Sequence, residues 1–123
     1  MIIAIDFDGT IAEMKWPDIG EPVPLALETI RELHQAGCTL LLWTCRQDKN
    51  LMRARLWLNE HDVGGCFSAF NENDPDRTSQ YNNDSRKVGA DWYIDDKALG
   101  TPMDVERVDW LAIRAILKEK GAL

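Results

Sequence analysis

The sequence predicts an α/β fold of three layers, a doubly wound parallel sheet of the Rossmann-like kind, in one domain spanning residues 1–123. Strand-length apolar runs alternate with stretches of helical period along the chain. The run 39–44, with Leu40, Leu41, Leu42 and Trp43, is apolar on both faces, as a strand inside a parallel sheet must be. The first apolar run, Ile2 to Ile5, stops abruptly at Asp6 and Asp8, which are followed by Gly9 and Thr10. In an open α/β sheet the carboxyl ends of the strands face a ligand crevice, so acids placed there belong to a site rather than to a core.

The elements follow in order. After the first strand, residues 11–22 contain Lys15, Trp16, Pro17 and Gly20 and read as a loop or small flap. Pro24 suits the first turn of a helix, Val23, Leu27, Ile30 and Leu33 recur at helical spacing, and Gly37 supplies the stop. His34 near its end reads as a polar or capping side chain. The second strand, 39–44, ends at Thr44. A second helix, 48–61, carries Leu51, Ala54 and Leu58 on one stripe and closes at Gly64-Gly65, with His61 at the surface. A short third strand, 66–70, precedes the polar stretch 71–86, which reads as a long loop with room for a helical turn and as either a lid or a disordered segment. Strand pattern resumes at 91–95 with Trp92, Tyr93 and Ile94. Val105, Val108, Leu111, Ala112, Ala115 and Ile116 then predict an amphipathic C-terminal helix. Trp57 and Trp110 read as packing residues of these helices.

Composition excludes several classes. A chain of 123 residues buries enough surface to fold without staples, and its hydrophobic fraction of 45% is ordinary. No run approaches a membrane span, and the strand that follows Met1 directly lacks the pattern of a secretory signal, so a cytoplasmic location is expected. Three cysteines, Cys38, Cys45 and Cys66, lack zinc-site spacing and cannot pair fully, which favours reduced thiols: Cys38 and Cys66 as core fillers, Cys45 partly exposed. A net charge of −7 argues against general nucleic-acid binding and against an anionic membrane surface.

Three strand ends carry reactive groups: Asp6 and Asp8, then Thr44, then Asp95 and Asp96, with Lys87 shortly before the last strand. Parallel strands bring these ends to one edge. Four acids meeting in a partly desolvated crevice would repel one another severely unless a divalent cation sat among them. Carboxylates, a hydroxyl, an ammonium and a metal together suit phosphoryl transfer, with Thr44 and Lys87 on the equatorial phosphate oxygens. Arg46, two residues beyond Thr44, reads either as a ligand for a second anionic group of the substrate or as a solvated arginine beside the helix. Trp16 and Asn71 are further candidates on the flap and after the third strand.

The segment Asp6-Phe7-Asp8-Gly9-Thr10 resembles the first motif, DxDGT, of the haloacid dehalogenase superfamily of phosphohydrolases. Thr44, Lys87 and Asp95-Asp96 are similar to its other three motifs, in the same order, and the likeness spans residues 2–96. The resemblance implies a nucleophilic Asp6 that forms an aspartyl-phosphate. It implies that Asp8 is the acid that protonates the leaving oxygen and then the base that activates water. It further implies Mg²⁺ held by Asp6, the backbone carbonyl of Asp8, and Asp95, with Asp96 behind them; which of Asp95 and Asp96 binds directly stays open. Gly9, Thr10, Thr44, Arg46 and Lys87 are the expected substrate-binding positions. The acid at Asp8 points to phosphate esters rather than carbon–halogen bonds.

The intervals between the motifs leave no room for the cap domain usual in that superfamily. Water exclusion and selectivity then fall to the flap, the 71–86 loop or a neighbouring subunit, and the five tryptophans suit self-association. The expected partner is a phosphorylated small molecule or a phosphorylated macromolecular end, acted on by a monomer or a homo-oligomer. A receiver-like domain, or a catalytically inactive one that binds phosphate and Mg²⁺, is the alternative; a receiver would carry its phosphorylated acid at the third strand, where this chain has Phe70-Asn71.

Overall fold

The computed structural model of the protein describes residues 1–123. Four parallel strands form its central sheet: β1 (Ile2–Ile5), β4 (Thr39–Leu42), β5 (Phe67–Phe70) and β6 (Trp92–Ile94), in the spatial order β5-β4-β1-β6. Ile3 of β1 is in register with Leu40 of β4 on one side and Trp92 of β6 on the other. The central strand is thus apolar on both faces, and its end adjoins the ends of both β4 and β6.

Helices α1 (Ala26–Gln35), α2 (Asp48–Glu60) and α4 (Trp110–Glu119) cover one face. Leu27, Ile30 and Leu33 of α1, Ala54 and Leu58 of α2, and Trp110, Ile113 and Leu117 of α4 share a core with Ile3, Ile5, Leu40, Leu42, Phe67 and Ile94. The other face holds only Ala4, Leu41 and Ala69, closed by Val88 with Ile2, Trp43 and Ala90 at the margin. Its covering layer departs from the expected helical one. The crossover from β5 to β6 contains a single short helix, α3 (Pro75–Tyr81), which buries no residue. The cause is compositional: 71–86 has no apolar stripe, so it covers the sheet as a polar strap that is followed by the anchoring Val88. The structure is therefore an α/β fold with a parallel sheet flanked by helices, thick on one face and thin on the other. No helix is long and apolar enough to cross a membrane.

Several boundaries move. The expected flap is an antiparallel hairpin of β2 (Ala12–Lys15) and β3 (Asp18–Pro22). Helix α1 starts at Ala26, after Leu25 adopts a left-handed conformation (φ 68°), so Pro24 belongs to the preceding turn. Gly64–Cys66 is a turn of 3₁₀ helix rather than a helix stop; α2 has already ended, with His61 half-buried against Trp57. The C-terminal helix does not include Val105, which sits fully out in solvent at the tip of a hairpin of β7 (Met103–Asp104) and β8 (Arg107–Val108). Asp109 caps α4 by accepting from the Ala112 N–H at 3.2 Å, and that cap sets the helical phase. Trp110, Ile113 and Leu117 consequently face inward, whereas Leu111, Ala115 and Ile116, expected inside, are exposed.

Trp110 joins this core to the strand ends. Its ring is buried and its Nε1–H donates to the Thr10 carbonyl at 2.7 Å. Trp110→Ala is expected to lower unfolding free energy by about 3–5 kcal/mol in urea titrations, from the cavity and the orphaned carbonyl together. Trp110→Phe, which keeps most of the volume, is expected to cost less than half of that.

Candidate active site

The chain beyond β1 is built to hold two acids at fixed places. The Asp6 N–H donates to the Ile94 carbonyl at 2.9 Å, so pairing with β6 runs one residue past the strand. Phe7 is fully buried, meets Trp57 edge-to-face at 5.4 Å, and its carbonyl accepts from Ile11 N–H at 2.8 Å, curling the chain into a turn. Gly9 takes φ +80°, and a Cβ there would run into the Asp96 carboxylate. Glycine is required on both counts.

Thr10 is fully buried. Its Oγ1–H donates to Asp6 Oδ2 at 2.9 Å, and the same oxygen accepts from the Asp96 N–H at 3.1 Å. One hydroxyl thus aligns the Asp6 carboxyl and ties it to the end of β6. Gly9 and Thr10 were expected to touch substrate, but neither lines the cavity; both act behind the acids.

Asp6, Asp95 and Asp96 converge, each offering a carboxylate oxygen within 4.8 Å of the other two. Burial, contact with Asp96 and the charge of Asp95 push the Asp6 carboxyl from 3.8 up to about 8. Burial chiefly, with Asp96 beside it, also raises Asp95, although Asp95 Oδ1 accepts from the Lys97 N–H at 2.8 Å. The Asp96 side chain is 4% exposed, and the nearest ammonium, Lys97 Nζ at 3.8 Å, is itself mostly in solvent. Three hard oxygen donors with so little compensating positive charge fit a hard divalent cation such as Mg²⁺.

These acids floor a cavity of about 390 Å³, which Asp8, Thr44 and Lys97 also line, with Met14, Trp16 and Cys45 forming an apolar wall. Asp8 stands apart from the three clustered carboxylates, and its own carboxylate is gripped by Arg46. Nε donates to Asp8 Oδ2 and Nη2 to Oδ1, both at 2.8 Å. The remaining N–H groups of Arg46 donate to the Pro17 carbonyl at 3.2 Å, the Asp18 carbonyl at 3.0 Å and the Asn50 carbonyl at 3.5 Å. All five donors of a fully buried guanidinium are therefore spent within the protein. Arg46 is neither a substrate-anion ligand nor a solvated arginine: it is an internal clamp.

Thr44 Oγ1 accepts from the Arg46 N–H at 3.1 Å. Asn71 secures this loop, accepting from the Thr44 N–H at 2.8 Å and donating through Nδ2 to the Arg46 carbonyl at 2.9 Å. Lys87 is not brought to the cavity. Val88 anchors the strap against the thin face of the sheet, and the exposed Lys87 ammonium lies over the Tyr93 ring at 5.3 Å. Lys97, which sequence reasoning missed, is the lysine that lines the cavity. Only its place directly after the acid pair marked it, and such a position is common for surface lysines. Met14 was missed because a flap residue carries no periodic signal.

No protein-family model and no curated protein matches the chain. A solved structure does: the conserved protein coded by locus from Bacteroides thetaiotaomicron, 38% identical, matches over 98% of this chain and 91% of that chain with a TM-score of 0.82.

Between pH 3.8 and about 8 the folded chain keeps a proton on Asp6 that the unfolded chain releases. Stability in chelator should therefore fall as pH rises through that window, and Asp6→Asn should flatten the slope of melting temperature against pH. Arg46→Met strands the Asp8 carboxylate and two flap carbonyls and is expected to cost about 3–5 kcal/mol. Adding Asp8→Asn to it should restore part of that loss in a double-mutant cycle of chemical denaturation.

Proposed function

The chain belongs to the same family as the conserved protein coded by locus from Bacteroides thetaiotaomicron, and we propose that it is a Mg²⁺-dependent phosphatase of haloacid dehalogenase type without a cap domain. The observation that carries this reading is the convergence of Asp6, Asp95 and Asp96 at adjacent parallel strand ends, on the floor of an open cavity. The parallel sheet with the first acid on its central strand supports the same core assignment. Three free thiols suit a cytoplasmic setting.

In this reading one oxygen of the Asp6 carboxylate attacks the phosphorus of a monoester. The phosphorus–oxygen bond to the leaving group breaks, and the departing oxygen takes a proton from Asp8. Water then attacks the aspartyl-phosphate and gives a proton back to Asp8; the bond to Asp6 breaks and inorganic phosphate leaves. Mg²⁺ on the Asp6, Asp95 and Asp96 oxygens would screen carboxylate from phosphate so that the two anions can approach. Thr10 orients the Asp6 carboxyl by bonding one of its oxygens from behind, and Thr44 and Lys97 are the cavity groups available to the phosphate oxygens.

The Arg46 pair bears on the acid step. Both Asp8 oxygens already accept charge-assisted hydrogen bonds from the Arg46 guanidinium, which ties up the group that must pass a proton in each of the two steps. That observation favours a second reading, a domain that takes up phosphate on Asp6 and releases it slowly.

With an aryl phosphate and Mg²⁺, turnover is expected to depend steeply on the leaving group, fastest for nitrophenol, and to vanish in chelator. Asp6→Asn should lose a factor of about 10³ or more while keeping its fold by circular dichroism. A stoichiometric burst of phenol followed by near-zero steady-state release would select the slow phospho-acceptor. Full turnover by Asp6→Asn would remove covalent catalysis.

A further inference from the structure

The flap carries an aromatic ring to the acidic cavity and the structure fixes it from behind. Trp16 lies in the turn between β2 and β3, 53% exposed, and lines the cavity beside Met14 and Cys45. The Arg46 guanidinium sits 4.8 Å from the indole centroid. That guanidinium is itself immobilised by Asp8 and by the carbonyls on either side of the flap's bend, at Pro17 and Asp18. A large exposed ring on a hairpin tip is usually free to swing; this one is backed by a buried cation, and its exposed surface is shared between the cavity that the acids floor and a hollow beside Gln47, Lys49 and Asn50.

The same cavity is poor in everything else that would hold an organic group. Its only cation is Lys97, already beside Asp96, and all five Arg46 donors are consumed. A substrate carrying a second phosphate or a carboxylate would find no cation on the cavity wall besides Lys97. A sugar would find few neutral hydrogen-bonding side chains, since Thr44 is the one uncharged polar residue on the wall.

We propose that Trp16 is the specificity-determining contact of this site: it stacks on a planar, uncharged aromatic ring in the organic part of a phosphate monoester. The proposal rests on the phosphatase reading and names the substrate class for it. Met14 and Cys45 extend the apolar wall at the edge of the ring, so an aromatic group displaces water from surface that a short alkyl group leaves wet.

The test uses two non-hydrolysable ligands that differ only in this feature, phenylphosphonate and methylphosphonate, titrated calorimetrically into the protein in Mg²⁺ buffer. The unaltered protein is expected to bind phenylphosphonate roughly five- to tenfold more tightly. Trp16→Ala should erase that preference while leaving methylphosphonate affinity within about twofold, and Trp16→Phe should retain most of it. Equal affinity of the unaltered protein for both ligands, or a preference that survives Trp16→Ala, overturns the role of Trp16 and leaves the phosphatase reading standing. Equal weakening of both ligands in Trp16→Ala also overturns it, since the ring would then only support the flap. Failure of the unaltered protein to bind either phosphonate, with Mg²⁺ bound, overturns the phosphatase reading and this proposal with it.

Discussion

The buried guanidinium of Arg46 is the interaction on which the site's geometry depends. It sits just past the end of β4, at the start of α2, and its donors reach Asp8 beyond β1, both sides of the flap's bend and the first turn of α2. Three segments distant in sequence are thereby held to one another by a single side chain. Burying a charge this fully is tolerable only because Asp8 neutralises it and every N–H finds an acceptor. The flap has no core of its own, so removing the clamp would free the flap and Asp8 together.

A second constraint opposes the first in sign. Where Arg46 makes one acid comfortable, Asp6, Asp95 and Asp96 crowd with almost no compensating charge, and the protein pays for it by holding Asp6 far above its ordinary protonation range. Thr10 keeps the crowded carboxylates in register by bonding both the Asp6 carboxyl and the Asp96 backbone, and Trp110 holds Thr10 through its carbonyl. Core packing on the thick face of the sheet is thus connected through two hydrogen-bonded steps to the acids. An arrangement crowded in its charges and rigid in its backbone is one that a bound divalent cation would relieve, which is the physical content of the proposed metal site.

The two faces of the sheet divide the work. Three helices on one face supply the core, and a polar strap pinned by Val88 closes the other. The strap's Lys87 is laid on Tyr93, its helix α3 buries nothing, and none of its residues lines the cavity. In the proposed function, selectivity would rest with the hairpin that brings Met14 and Trp16 to the cavity.

Much of this was legible from residue order. Alternating apolar runs and helical stripes determined a parallel α/β sheet, because a strand buried on both faces needs neighbours on both edges and helices to cross between them. The acids at the ends of β1 and β6 were readable for the same reason: strand ends in such a sheet share one edge. The α4 stripe was misread because its phase depends on a cap at Asp109 and a docking partner at Thr10, neither of which hydrophobic period contains. The fate of the cations was decided by tertiary structure alone. Arg46, Lys87 and Lys97 are all cations near strand ends in the sequence, yet one is buried and saturated, one lies on the Tyr93 ring and one lines the cavity. A long flexible side chain can reach several places, and only the acceptors assembled around it by distant segments select among them; a short carboxylate on a strand end has no such choice, and its position was set by the sequence itself.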